Sequence, residues 1–110
     1  MKIEYMEVRS RFKNLSQVRV VFDEDHLMTV IVGRNGSGKS NVLEALVSIF
    51  RNLDLGEAPP FSYLLRYRLG EGDNSRWITV DADPARGTLA KQYEIAVETE
   101  LKDGMFQLNQ

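Results

Sequence analysis

The sequence predicts a mixed α/β domain in which strands lie on both sides of one helix. Three observations carry that prediction. The apolar run "LMTVIV" at 27–32 stops abruptly at Gly33. From Gly38 the hydrophobic spacing changes to one, three and four residues, and after Pro59 and Pro60 it returns to two. A change of period from strand to helix and back gives strands, a helix and then an antiparallel meander, a mixed α/β or α+β domain.

The segment "KIEYMEV" at 2–8 is rich in strand formers, and "QVRVVFD" at 17–23 alternates as a second strand does. Between them "RSRFKNLS" breaks the pattern and reads as a short connection around Phe12. The continuous run 27–32 has the character of a strand buried on both faces, which places it centrally in its sheet. The helix that follows carries Val42, Leu43, Ala45, Leu46, Ile49 and Phe50 on its apolar side, with Glu44, Ser48 and Arg51 elsewhere. It ends within "RNLDLGEAPP", where Gly56, Pro59 and Pro60 oppose continuation. In the next strand Phe61, Tyr63, Leu65, Tyr67 and Leu69 share one face, and Arg66 and Arg68 the other. "GEGDN" turns the chain into a strand at 75–82, in which Ile78 and Val80 oppose Trp77, Thr79 and Asp81. "DPARGT" is a further connection, and from residue 92 to 101 Tyr93, Ile95, Val97, Thr99 and Leu101 alternate with Gln92, Glu94, Ala96, Glu98 and Glu100 as a half-exposed strand. No repeat, low-complexity tract or linker divides residues 1–110, so one domain is expected.

Composition narrows the functional classes. The 110 residues are 43% hydrophobic and carry a formal net charge of -2, which opposes a surface that is basic throughout. Without cysteine there is no disulfide framework or thiolate centre, and the single His26 excludes a histidine-clustered zinc site. No apolar stretch approaches the roughly 18 residues of a membrane helix, and the N-terminus lacks a signal core, so a cytoplasmic protein without membrane contact is expected.

The stretch "VGRNGSGKSN" fits G-x-x-x-x-G-K-[ST] through Gly33, Gly38, Lys39 and Ser40. A polyphosphate needs fixed donors in place of water. Successive backbone NH groups of Gly33, Arg34, Asn35, Gly36, Ser37 and Gly38 form such a nest, and the following helix contributes its positive end. Lys39 is the candidate catalytic residue, reaching the β and γ phosphates, and the Ser40 hydroxyl is the candidate ligand of Mg2+. A glycine-rich turn that merely caps a helix is the bland alternative. The strand before the motif and the amphipathic helix after it favour nucleotide binding, with ATP and magnesium as the ligands.

The phosphate-loop segment "VIVGRNGSGKSNVLEALVSIF", with "FKNL" at 12–15 and a strand before it, resembles the N-terminal segment of ABC-type ATPases outside the transporters. These are the structural-maintenance-of-chromosomes proteins, RecF-type repair ATPases, and the overcoming-lysogenization-defect nucleases with related phage-defence ATPases. Asn35 and Asn41 narrow the match beyond the generic pattern. The resemblance implies a P-loop NTPase N-terminal lobe of central strand, P-loop, one helix and antiparallel β-meander. It implies an ATP-dependent head that dimerises with nucleotide between protomers, acting in DNA repair or antiviral defence with a nuclease domain or partner. It also makes Phe12, Lys13 and Asn14 candidates for the adenosine side of the nucleotide, and Asn41, directly after Ser40, a further nucleotide-binding candidate. For Phe12 the alternative is a ring fastening a surface turn, and for Lys13 both readings stay open. Gln92 and Gln107 are poorly placed for the glutamine such heads use to sense magnesium.

Hydrolysis requires an acid on magnesium and a group that orients water. Asp23, Glu24 and Asp25 precede the phosphate loop and read as a solvated turn. Asp81 follows a strand that alternates rather than one buried throughout, so a half-exposed meander strand is favoured over a magnesium site. No signature sequence is recognisable, and His26 comes too early for a switch histidine. The expectation is therefore the front portion of a longer head, one that binds nucleotide weakly and hydrolyses almost none by itself. A nucleotide-controlled assembly module and a small P-loop kinase are the alternatives; the two strands before residue 27 oppose the kinase. Arg9, Arg11, Lys13 and Arg19 lie near the start and could touch DNA, as could Arg66 and Arg68. For the last two, cross-strand pairing with Glu94, Glu98 or Glu100 is favoured, because no aromatic residue is expected to interleave with them.

Overall fold

The computed structural model describes residues 2–22, 29–31, 38–70, 75–100 and 106–109. Its strands are β1 (Lys2–Val8), β2 (Val18–Val21), β3 (Thr29–Ile31), β4 (Tyr63–Leu69), β5 (Arg76–Ala82), β6 (Tyr93–Glu100) and β7 (Phe106–Asn109). The helices are α1 (Gly38–Leu55) and the single turn α2 (Leu89–Gln92). All seven strands form one sheet in the order β3-β2-β1-β4-β5-β6-β7, with every neighbouring pair antiparallel. The chain is mixed α+β, as the changes of period imply.

The core lies between this sheet and α1. Val42, Ala45, Leu46 and Ile49 project from α1 at helical spacing onto Met6, Val8, Val20, Tyr63, Leu65, Val80 and Ala82. The ring of Phe50 meets Tyr67 edge-on at 5.5 Å. Every inward residue of β4 and β5 obeys the alternation read from sequence. β1 departs from it once. Ile3 pairs with Tyr67 and Tyr5 with Arg66, so Glu4 is an extra residue in a β-bulge. The insertion keeps Ile3 and Met6 on the core side and brings both Glu4 and Tyr5 to the opposite face.

Three expectations need correction. The apolar run expected at the centre of the sheet contributes β3, which lies at the edge and pairs with β2 alone among the described residues. Apolar character on both faces reflects what covers a strand; it does not specify how many strands flank it, and here β2 turns back between β1 and β3. The connection before β6 contains α2, and a seventh strand, β7, pairs with β6. Both are four-residue elements, too short for a hydrophobic period to declare itself.

Candidate nucleotide-binding site

β3 ends at Ile31 and α1 begins at Gly38, so residues 32–37 join a strand to a helix, the context in which a phosphate loop works. Gly33, Arg34, Asn35, Gly36 and Ser37 lie outside the described residues. Gly38, Lys39 and Ser40 form the first turn of α1. No acidic residue occupies that turn, so nothing on the helix itself neutralises the partial positive charge of its free NH groups. Ser40 is exposed and supplies the kind of hard oxygen donor that suits magnesium, a cation that keeps several waters.

The connection between β1 and β2 lies alongside this turn. Phe12 and Leu15 exchange both backbone hydrogen bonds, at 2.8 Å each, which leaves Lys13 and Asn14 at the tip of a tight turn. Lys13 adopts a φ of 54°, a left-handed conformation uncommon for a residue with a Cβ. Arg11 Nε donates to the Lys13 carbonyl at 3.0 Å and helps hold that geometry. From the tip, the Lys13 ammonium pairs with the Glu44 carboxylate on the second turn of α1, and Asn41 Nδ2 donates to Asn14 Oδ1 on the first. Of the three residues proposed to flank nucleotide, Lys13 and Asn14 are thus brought to α1 beside Asn41. The Phe12 ring packs on Phe61 with centroids 4.8 Å apart and against the core, as the fastening role requires.

A family model described as AAA ATPase domain matches residues 1–104. The chain belongs to the AAA ATPase domain family. Membership places it among P-loop ATPases and gives the glycine-lysine-serine segment its family context. No curated protein and no solved structure matches the chain.

Elsewhere in this AAA ATPase-family chain, side chains offered for other roles are engaged in holding strands together. Asp81 Oδ1 accepts hydrogen bonds from Arg9 and Arg86, each at 2.7 Å. Arg9 also lies 3.1 Å from Ser62 Oγ, 2.7 Å from the Tyr63 carbonyl and 2.8 Å from the Ala82 carbonyl. Burial pushes the Asp81 carboxyl up, but hydrogen bonds and charge from the two guanidinium groups outweigh it and hold the carboxyl below its ordinary range. Two arginines on one carboxylate oxygen make a clamp between strand ends, and the strand reading of Asp81 stands over the magnesium reading. Gln92 is likewise structural, its amide donating to the carbonyls of Pro84 and Gly87. Asp23, Glu24, Asp25 and His26 lie outside the described residues.

Arg66 pairs with Glu98 at 3.2 Å, one of the carboxylates expected, but across the intervening β5 rather than on a neighbouring strand, and with Glu4 at 2.8 Å through the bulge, which sequence gave no sign of. The expected lack of aromatic residues on this face is overturned. The β4–β5 register sets Trp77 opposite Arg68, and the indole lies 5.0 Å from the Arg66 guanidinium carbon and 5.6 Å from that of Arg68. Trp77 Nε1 in turn donates to Glu100. Among the described residues no helix is long and apolar enough to cross a membrane.

Proposed function

We propose that the chain is the N-terminal lobe of an ABC-type ATPase head of the SMC, RecF or overcoming-lysogenization-defect kind. In this reading residues 33–40 bind the phosphates of ATP, Lys39 engages the β and γ phosphates, Ser40 ligates magnesium, and Lys13 and Asn41 flank the nucleotide. The observation that carries it is the succession of strand, G-x-x-x-x-G-K-S and amphipathic helix inside an AAA ATPase-family match. The positive end of α1 supports it, since an anion there meets no carboxylate of the first turn.

Two features support membership in a larger head. The side of α1 away from the core exposes Leu43, Val47 and Leu55, each more than half accessible, and β3 has an edge without a partner among the described residues. A second lobe packed there would cover both. Action in DNA repair or antiviral defence, dimerisation around ATP, and a nuclease partner rest on the resemblance of the motif. The kinase alternative is weakened by β1 and β2, which precede the phosphate-loop strand.

Titration calorimetry with magnesium and ATP tests the site. Binding to the native chain that falls at least tenfold in Lys39→Ala supports it; equal affinity of the two proteins overturns it. Oligomer mass measured with and without ATP, in parallel with phosphate release, separates a hydrolytic head from an assembly module.

A further inference from the structure

The contact between Lys13 and Glu44 concerns control of the site proposed above and rests on that reading. Lys13 sits at a turn tip whose backbone is fixed by the Phe12–Leu15 hydrogen bonds and by Phe12 stacking on Phe61. Its Cα has little freedom, whereas its ammonium rides on a flexible four-carbon stem. Glu44 lies about 9 Å along the helix axis from Gly38, at about 1.5 Å per residue. Asn14, the next residue of the tip, is already bonded to the first turn through Asn41. The lysine is therefore turned one step along the helix, away from the end where phosphate would lie. Both partners are about half exposed, at 51% and 50%, so the pair is of the weak kind that a stronger anion displaces.

We infer that Glu44 is a positioning residue that parks the Lys13 ammonium on the second turn of α1 and releases it to nucleotide phosphate on loading. A polyphosphate carries several charges against one on the carboxylate, and it sits against a helix end whose first turn holds no acidic residue, so the exchange runs toward the ligand. The loop at 9–17 then feels whether the site is filled. Glu44 competes with the ligand for one cation, which means that its removal strengthens binding although a salt bridge is lost.

The test is magnesium-ATP titration of the native chain, Glu44→Gln, Lys13→Met, the double variant and Lys39→Ala, with a thermal melt of each. The expected result is affinity about two- to fivefold tighter in Glu44→Gln, weaker in Lys13→Met, and no effect of Glu44→Gln once Lys13 is absent. Melting temperatures of the Lys13 and Glu44 variants stay close to native, since a structural role would move the melt and leave affinity alone. If Lys39→Ala abolishes binding while Glu44→Gln leaves it unchanged or weakens it, the exchange is wrong and the phosphate-loop reading survives. If Lys39→Ala binds as the native chain does, both fall.

Discussion

The guanidinium of Arg66 lies against the indole of Trp77, its carbon 5.0 Å from the ring centroid, while Glu4 and Glu98 take its hydrogen bonds. One side chain on β4 thereby joins β1, β5 and β6 across the face of the sheet opposite α1. Arg66→Ala removes three kinds of contact at once and leaves Glu4 and Glu98 without their shared cation. Because the Arg66 side chain is only 18% exposed, its pairs are screened less than surface ones, and the loss is expected to be about 1–3 kcal/mol by urea denaturation. Arg66→Lys should recover less than half of it, since an ammonium cannot lie flat on the ring and serve two carboxylates. With its charge engaged inside the protein, Arg66 should contribute less than about twofold to the affinity for duplex DNA at moderate salt.

Asp81 contributes to the pH dependence of stability. The arginines hold its folded-state carboxyl below the ordinary value of 3.8, so the folded chain binds its proton more weakly than the unfolded chain. The stabilisation is complete above that value and is lost as the pH falls below it. Asp81→Asn should cost about 1–2 kcal/mol at neutral pH and flatten the acid limb of the stability curve below about pH 4. Denaturant midpoints at pH 7, 4 and 3 measure both effects; an equally steep acid limb in the variant would assign it to other carboxylates.

Tyr63 is fully buried, and its hydroxyl has no hydrogen-bond partner among the described residues. Burial first, then the neighbouring Tyr93 and Tyr67, push its ionisation well above the ordinary 10.0. An unpaired buried hydroxyl destabilises, so Tyr63→Phe should leave the fold intact and change stability between about zero and 1 kcal/mol in the favourable direction. Its contacts with Phe61, whose ring is 5.5 Å away, survive the change. A marked loss on denaturation would reveal a partner for the hydroxyl.

The two sides of α1 should respond to mutation in opposite ways. Ile49 is fully buried against the sheet, and Ile49→Ala should cost about 2–4 kcal/mol, a large share of the stability of a small domain. Val47 is 64% exposed, and Val47→Ser should fall within about 0.5 kcal/mol in the isolated chain. In a protein that carries a further lobe over this side, the same Val47→Ser change should become costly. Comparing the melts of the two forms locates the contact.

Most of this fold was legible because it is written in local periodicity. The strand at 2–8, the helix from Gly38 and the alternation of Tyr63, Leu65 and Val80 toward the core need only near neighbours in the chain to declare them. Positions set by pairing were not legible. The edge location of β3 depends on where β2 turns, and the meeting of Trp77 with Arg66 and Arg68 depends on a register between strands about ten residues apart. At the candidate site the motif points to Lys39 and Ser40 from spacing alone, and both fall in the first turn of α1. The partner of Lys13 was hidden because Glu44 sits 31 positions away on a helix face that periodicity describes only as polar.

The bulge at Glu4 has a consequence for tolerance to deletion. Taking that one residue out would leave Ile3 and Tyr5 adjacent, pointing to opposite sides as an unbroken β1 demands, so the inward set would survive. What would vanish is the carboxylate on Arg66 and the carbonyl that receives the Phe22 amide at 2.9 Å. A shortened chain should still fold, with the far end of β2 less firmly tied to its neighbour.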